Sequence, residues 1–140
     1  MGGLAVIIAV LAGYGVAHIV RGTPPTASGL LLLFLVVGLG AVGFIDDYIK
    51  IFKRRSMGLR ASAKFGGQVV VGIVFGVLSL NFSDDRGLTP ASRAVSFIRD
   101  TPLVLPAAAF VLWALLLVVA TSNAVNLTDG LDGLAIGAAM

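Results

Sequence analysis

The sequence predicts an all-α integral membrane protein that crosses the bilayer several times, and three observations support this fold class. Of the 140 residues, 58% are hydrophobic and only 12% are charged, whereas a soluble domain carries about 25% charged residues. The mean hydropathy is +1.03. The charged residues are also unevenly distributed, because four long stretches contain none. The composition therefore excludes a soluble globular domain, a disordered chain and a disulfide-stabilised secreted module.

Four apolar stretches are long enough, or nearly so, to cross a bilayer as helices. A hydrocarbon core of about 30 Å needs about 20 apolar residues in an α-helix, and a helix satisfies its own backbone hydrogen bonds. We predict membrane helices at residues 3–20, 29–46, 65–81 and 103–121. Residues 133–140 are apolar but too few to span, and we interpret them as the start of a fifth helix.

The charges of the connecting segments predict the orientation of these helices. Residues 46–64 contain six of the ten Lys and Arg side chains and only two aspartates. Because Lys and Arg are enriched in loops on the cytoplasmic side, this segment should be cytoplasmic. Successive spans then place residues 21–28 and 81–102 outside the cell and return residues 121–133 to the cytoplasmic side. Membrane topology thus explains the basic charge, and no nucleic-acid partner is predicted.

An acidic pair, Asp46-Asp47, lies at the cytoplasmic end of the second predicted helix. Two adjacent carboxylates there are costly unless they are solvated, paired or bound to a cation. If the helix continues, Asp46 and Lys50 share one face at a spacing of i, i+4. Such a face could hold Mg²⁺ with substrate phosphates, and an aspartate there could accept a proton. The simpler alternative is an ion pair that anchors the helix at the membrane surface.

A second polar motif follows the fourth predicted helix. Amide and carboxylate side chains recur there at every third position, namely Asn123, Asn126, Asp129 and Asp132. Neighbouring members lie side by side on an α- or 3₁₀-helix, and two Asp-Gly pairs favour a turn that a ligand can approach closely. The pattern suits a phosphorylated or sugar-like ligand together with a hard cation. Helix capping and turn formation could explain one or two of these residues, but not four at a fixed spacing.

The predicted topology places both motifs on the same side of the membrane, because two spans separate them. A third acidic pair, Asp84-Asp85, resembles the first motif in isolation. It falls on the opposite side, among Ser, Gly, Thr and Pro residues that indicate a loop, and we interpret it as a solvated loop. Only the first two motifs are therefore candidates for one common site.

Two further features of the helices predict packing rather than chemistry. Gly72 and Gly76 are four residues apart, a spacing typical of a face on which membrane helices pack closely. Trp113 lies in the middle of the fourth span, away from the interfacial positions where Trp is usual. We therefore expect Trp113 to fill a gap between helices.

At the two polar motifs the sequence resembles the phospho-N-acetylmuramoyl-pentapeptide transferase family, of the polyprenyl-phosphate N-acetylhexosamine-1-phosphate transferase superfamily. The segment with Asp46, Asp47 and Lys50 is similar to the family's Asp-Asp-x-x-Lys motif. The segment from Asn123 to Asp132 is similar to its Asn-x-x-Asn-x-x-Asp-Gly-x-Asp-Gly motif. The resemblance covers essentially the whole chain, and the Thr of the second motif favours the peptidoglycan branch.

The resemblance implies an enzyme of the bacterial inner membrane, with its active-site loops in the cytoplasm. Such enzymes transfer phospho-MurNAc-pentapeptide from UDP-MurNAc-pentapeptide to undecaprenyl phosphate, which yields lipid I and UMP for peptidoglycan synthesis. They require Mg²⁺, and the resemblance also suggests a homodimer. The family has a further catalytic Asp and a His-rich motif beyond the last residue of this chain. We therefore expect an internal part of a longer enzyme, inactive by itself.

The resemblance also implies roles for individual residues. Asp46 and Asp47 would serve catalysis, with Asp46 deprotonating the lipid phosphate and Asp47 supporting it. The implied metal ligands are Asp46, Asp47 and Asp129. The implied substrate-binding residues are Lys50, Lys64, Asn123, Asn126, Asp129 and Asp132.

Two alternatives to this function stay open. The first is a sister enzyme that transfers a different hexosamine phosphate, such as GlcNAc-1-phosphate, to a polyprenyl phosphate. The second is a non-catalytic helical module, such as half of a transporter or a membrane scaffold. A scaffold would explain the glycine-rich spans, but not why both polar motifs are predicted on one side.

Overall fold

A computed structural model of the protein describes residues 2–52, 59–84, 87–96 and 100–129. Four α-helices and a short β-hairpin follow one another in chain order: α1 Gly2–Arg21, α2 Ala27–Phe52, α3 Ala61–Asn81, β1 Ala94–Ser96, β2 Asp100–Val104 and α4 Ala107–Asp129. All four helices are long and apolar enough to cross a membrane. The prediction of an all-α, multi-pass membrane protein is confirmed.

Apolar side chains cover the outside of the helices, while polar ones occupy the interior. Within the described residues, the buried hydrophobic side chains are Leu31 and Ala114, and the buried polar ones are Asp46, Gln68 and Ser79. Lipid can surround apolar side chains at no cost, whereas polar groups within a membrane must find partners in the protein. The buried polar residues therefore find their partners within the protein, on a neighbouring helix for Gln68 and within the same helix for Ser79.

Close contacts at two glycines show that α1 and α2 are antiparallel. A Cβ atom at Gly29 would collide with the ring of Tyr14, and one at Gly40 would collide with Ile7. Residue numbers therefore rise along α2 as they fall along α1. The Tyr14 hydroxyl also accepts a hydrogen bond from the backbone N–H of Thr26 at 3.2 Å, which joins the start of α2 to α1.

The same arrangement relates α2 to α3. A Cβ atom at Gly38 would lie 2.9 Å from a methyl group of Val71, and one at Gly67 would lie 2.8 Å from a methyl group of Val42. The pairs run in opposite directions along the two helices, so α2 and α3 are antiparallel. Neither glycine position has room for a side chain while its neighbour stays in place.

Gly72 and Gly76 form the face on which α3 packs against α4, as predicted. Both glycines are buried. A Cβ atom at Gly72 would lie 2.8 Å from Leu115 Cδ1, and one at Gly76 would lie 3.3 Å from the backbone Cα of Val111. Small residues let membrane helices approach closely enough to gain dispersion contacts along their length. The descending order of the partners shows that α4 runs antiparallel to α3.

Trp113 does not fill a gap between the four described helices, contrary to the prediction. Its side chain is 55% exposed, whereas the next residue, Ala114, is 9% exposed and lies against Gly76. Because α4 is apolar around its whole circumference, the sequence gives no signal for the face that packs against α3.

Two ends of the bundle follow from these directions. At one, called here the motif end, α2 and α4 finish and α3 begins. The other, called the hairpin end, carries β1 and β2, which pair antiparallel with Ala94 opposite Val104 and Ser96 opposite Asp100. A backbone hydrogen bond of 3.1 Å from Ala91 to Ser79 joins this region to α3.

The helix bounds differ from the predicted spans by four residues or more at four helix ends. α3 begins at Ala61 rather than 65. α2 continues to Phe52, six residues beyond the predicted end at 46. α4 begins at Ala107 rather than 103, because residues 100–104 form β2 and Pro106 precedes the helix. Proline is favoured at the start of a helix, where its missing N–H is not needed. α4 then continues to Asp129, so Asn123, Asn126 and Asp129 lie on a helix.

We predict that Gly76→Val destabilises the protein by about 1–3 kcal/mol, as overpacking typically does. The new side chain would press against the backbone of Val111, which cannot move aside. Gly15→Val is the matched control, because nothing lies within 4 Å of a Cβ atom there. Thermal unfolding of the purified protein in detergent measures both variants. Equal melting temperatures for the two would contradict the packing described for α3 and α4.

Candidate active site

The first motif forms an ion pair on the last turns of α2. Lys50 Nζ donates to Asp46 Oδ2 at 2.6 Å, the i, i+4 contact that the spacing predicts. The same ammonium lies 3.6 Å from Asp47 Oδ1. The two carboxylates differ in environment, since the side chain of Asp46 is 11% exposed and that of Asp47 is 59% exposed. Asp46 is therefore a buried, paired carboxylate, while Asp47 can contact a ligand.

The second oxygen of Asp46 holds the start of α3. The backbone N–H of Leu59 donates to Asp46 Oδ1 at 2.7 Å. One residue later, the carbonyl of Arg60 accepts from the N–H of Lys64 at 3.1 Å in the first turn of α3. Hydrogen bonds to an ionised acceptor are shorter and stronger than neutral ones. Asp46 thereby fixes the chain where it enters α3, and both of its oxygens are engaged.

Lys64 brings a second positive charge to the same place. Its positive charge attracts the Asp46 carboxylate, though more weakly than that of Lys50 does. Asp46 therefore lies in the field of Lys50 from its own helix and of Lys64 from α3. Lysine ammonium groups bind phosphate as point charges, and they do so best where several converge. This cluster of Asp46, Asp47, Lys50 and Lys64 is called here the charged cluster.

The second motif is held by a hydrogen-bonded bridge between α3 and α4. Asn123 Nδ2 donates to Gln68 Oε1 at 2.9 Å and to the backbone carbonyl of Val119 at 2.8 Å. Gln68 Nε2 in turn donates to Ser122 Oγ at 3.0 Å. Gln68 is only 2% exposed. The three side chains Gln68, Ser122 and Asn123 are called here the amide bridge.

Gln68 and Ser122 were not predicted as site residues. One signal was available, because Gln68 is the only glutamine of the sequence and lies in a predicted membrane span without charged residues. A polar side chain in a membrane helix usually faces the protein interior and pairs there. Gln68 also lies four residues after Lys64, so the two share a face of α3. That face joins the charged cluster to the amide bridge.

The structure brings five of the eight predicted site residues to the motif end: Asp46, Asp47, Lys50, Lys64 and Asn123. Asn126 and Asp129 follow at three-residue steps on the last turns of α4, but their side chains lie outside the described part. Asp132 also lies outside the described residues. Asp84 is at the hairpin end, where its carboxylate accepts from the N–H of Leu88 at 2.9 Å in a loop.

The acidic pair fits a Mg²⁺ site that a phosphate ligand completes. Within the described residues, no group of three or more His, Cys, Asp or Glu side chains could hold a metal by itself. Mg²⁺ usually binds through one or two carboxylates together with substrate phosphates and water. Asp47 is exposed enough to serve, whereas Asp46 would first have to release Lys50 or the N–H of Leu59.

An open groove between α1 and α2 reaches the charged cluster. It is lined mainly by apolar residues, among them Leu4, Ile7, Phe44 and Tyr48, and Asp47 is its one charged lining residue. Gly43 contributes open space to this groove, because nothing lies within 4 Å of a Cβ atom built there. The groove therefore offers an apolar surface that leads from the side of the bundle to an exposed carboxylate.

We predict that Lys50→Met lowers stability by about 1–3 kcal/mol, because it leaves the Asp46 carboxylate without its closest cation. In the double variant Asp46→Asn, Lys50→Met, part of this loss should be recovered, since Asn can still accept the bond from Leu59. A double-mutant cycle on thermal unfolding in detergent measures the coupling between the two residues. Asp47→Asn is the control and should have little effect, because Asp47 is exposed. No coupling between residues 46 and 50 would contradict the ion pair.

Comparison with known proteins shows the family of the chain. Residues 29–140 match the family model described as glycosyl transferase family 4. Among curated proteins, the chain is similar to three enzymes named phospho-N-acetylmuramoyl-pentapeptide-transferase. It is 56% identical over 139 residues to that of Streptomyces avermitilis, covering 99% of this chain and 39% of the relative. It is 58% identical over 137 residues to that of Frankia casuarinae, covering 98% of this chain and 39% of the relative.

The third relative, from Thermobifida fusca, is 56% identical over 138 residues, with 99% of this chain and 39% of the relative covered. The chain thus spans about two fifths of the length of the curated relatives that it matches. The matched region contains both polar motifs and α2, α3 and α4. Because the family model covers most of its length, the chain belongs to glycosyl transferase family 4.

Proposed function

We propose that this chain forms part of the active site of an enzyme that makes lipid I. The reaction transfers phospho-MurNAc-pentapeptide from UDP-MurNAc-pentapeptide to undecaprenyl phosphate and releases UMP. The observation that carries the proposal is the charged cluster at the end of the bundle that also holds Asn123. Relatives more than 50% identical bear the name of this activity. A scaffold would need neither the cluster nor its position beside the amide bridge.

The two lysines suit a reaction between two phosphate-bearing anions. The lipid phosphate and the donor pyrophosphate repel each other, so catalysis depends mainly on cations that hold them together. Lys50 is shared between Asp46 and Asp47 and is partly exposed. An incoming phosphate would compete with Asp46 for this ammonium. Lys50 would then bind a phosphate oxygen, and Oδ2 of Asp46 would be left with a free lone pair.

Asp46 would then act as the general base. It accepts the proton of the lipid phosphate, and the deprotonated phosphate oxygen attacks the β-phosphorus of the donor. The new P–O bond forms as the bond between this phosphorus and the oxygen bridging to the UMP phosphate breaks, so that UMP leaves with the electron pair. Asp47, which is exposed beside Asp46, would support the phosphates through a bound cation.

Mg²⁺ is proposed as the cofactor and would neutralise phosphate charge when bound. Asp47 is the described carboxylate best placed to hold it, and Asp46 would be a second ligand only when its Oδ2 is not acting as the base. Asp129 remains a candidate ligand from the second motif. The lysines would bind the phosphate oxygens that the cation leaves free.

The motif end is proposed to face the cytoplasm, where a soluble nucleotide meets a lipid phosphate at the membrane surface. Three of the ten basic residues, Lys50, Arg60 and Lys64, lie at this end in the described part of the chain. The groove between α1 and α2 is a route by which an isoprenoid chain could bring its phosphate to the charged cluster. An apolar chain would lie in the groove, with its charged end at Lys50.

We predict that the gene product containing these residues makes lipid I and UMP from the two substrates with Mg²⁺, and that Asp46→Asn lowers kcat at least about 100-fold. This fall in kcat is the one expected when a general base is removed. Asp84→Asn is the matched control at the hairpin end and should leave turnover within about twofold, because Asn can still accept from Leu88. Turnover of the Asp46→Asn variant at the normal rate would contradict the role of Asp46. Transfer from UDP-GlcNAc instead would favour the sister enzyme.

We also predict that the motif end is reached only from the cytoplasm. These 140 residues contain no cysteine, so a single cysteine introduced among them is the only one in this part of the protein, and the unsubstituted protein serves as the labelling control. Phe52, at the motif end, is 72% exposed, and Leu88, at the hairpin end, is 63% exposed. Each is replaced by cysteine in a separate variant, Phe52→Cys or Leu88→Cys. A membrane-impermeant maleimide added to intact cells should label residue 88, and residue 52 only after the cells are opened. The reverse labelling would overturn the proposed orientation.

A further inference from the structure

The amide of Gln68 connects two helices in a way that packing alone does not require. Its Oε1 accepts from Asn123 and its Nε2 donates to Ser122, so both ends of the amide are engaged with α4. Ser79, the other buried polar side chain of α3, is satisfied within its own helix by the carbonyl of Gly76 at 2.8 Å. An apolar side chain at position 68 would pack between helices without any such partners. The amide at position 68 therefore both holds α3 to α4 and engages Ser122 and Asn123 of the second motif.

The consequence of this bridge is a fixed orientation for Asn123. A primary amide has two N–H donors and one carbonyl acceptor. Both donors of Asn123 are occupied, one by Gln68 Oε1 and the other by the carbonyl of Val119. If the Asn123 amide turned over alone, both bonds would be lost, because its oxygen would face two acceptors. If it turned over together with the amide of Gln68, the bond to the carbonyl of Val119 would still be lost, since that carbonyl can only accept. Any further contact made by this side chain is therefore made through Oδ1, as an acceptor.

We propose that Gln68 is a positioning residue that presents Oδ1 of Asn123 to the nucleotide donor. The site then offers an acceptor at this point and selects a ligand that carries an N–H or O–H group there. A uridine nucleotide carries such groups on its base and on its ribose. The choice of nucleotide rests on the proposed function, whereas the orientation of Asn123 rests on the hydrogen bonds alone.

Two substitutions at position 68 separate positioning from packing. Gln68→Met keeps the shape of the side chain and removes both hydrogen bonds to α4. Gln68→Glu keeps an oxygen that accepts from Asn123 Nδ2, whether the carboxyl group is ionised or protonated. Positioning predicts that Glu is the better substitute for function. Packing alone predicts the reverse, since a buried carboxyl is costly and a buried Met is not.

The kinetic test compares these variants in the gene product that contains the chain. We expect Gln68→Met to raise KM for UDP-MurNAc-pentapeptide about fivefold to tenfold, because the nucleotide loses one hydrogen bond, that to Asn123 Oδ1. The value of kcat should change less than about twofold. Gln68→Glu should keep KM within about threefold of the unsubstituted protein. Ser79→Ala is the matched control on the same helix and should leave KM unchanged.

A second readout does not depend on turnover. The side-chain amide of Asn81 is an internal reference, because its Nδ2 donates to the carbonyl of Val77 at 2.8 Å as Asn123 does to Val119, and it is exposed. In ¹⁵N NMR spectra, the side-chain hydrogens of Asn123 should exchange with water more slowly than those of Asn81. Gln68→Met should remove this difference, and Gln68→Glu should retain most of it. Asn123→Asp assigns the signal by its loss.

Each outcome decides between the alternatives. If the unsubstituted protein transfers no phospho-sugar, the proposed function fails, and the exchange of the Asn123 amide still tests the orientation. Unchanged exchange and unchanged KM in Gln68→Met would overturn the role of Gln68. A Glu variant that is more impaired in KM than the Met variant would also overturn it and would assign Gln68 to packing.

Discussion

The rest of the structure depends on the close packing of α3 against a helix on each side. Gly67 lets α2 approach through Val42, and Gly72 and Gly76 let α4 approach through Leu115 and Val111. No hydrophobic force drives apolar helices together in lipid, so the helices must associate through dispersion contacts between surfaces of complementary shape. A side chain at any of the three glycines would force one neighbour outward. The distances between the two polar motifs would then change with it.

Packing of this kind explains why two motifs far apart in sequence meet at one end of the bundle. The first two turns of α3 carry Lys64 toward the charged cluster on α2 and Gln68 toward the amide bridge on α4. A rigid helix holds these two side chains four residues apart on one face. The orientation of Asn123 and the charge around Asp46 are therefore set by the same element. Helix packing and the proposed chemistry share one structural cause.

Features that depend on charge and residue spacing could be predicted from the sequence. Features that depend on which face of a helix packs against its neighbour could not. Uncharged stretches located the four helices, and the i, i+4 spacing predicted the contact of Asp46 with Lys50. The role of Gln68 was missed, because a neutral amide does not interrupt an apolar span. Trp113 was misplaced, because an all-apolar helix gives no sign of its inner face. The short hairpin at residues 94–104 was missed, because its pairing depends on contacts between strands rather than on a strong local pattern.

Disulfide formation between paired cysteines tests most directly whether α3 lies between α2 and α4. A Cβ atom at Gly67 would lie 3.7 Å from that of Val42, and one at Gly76 would lie 3.6 Å from that of Ala114. Both distances suit a disulfide. Cysteine pairs at 42/67 and 76/114 should each cross-link when membranes are oxidised, whereas the pair 42/66 should not, because Gly66 faces open space. Absence of both cross-links, or equal cross-linking of 42/66, would contradict the arrangement.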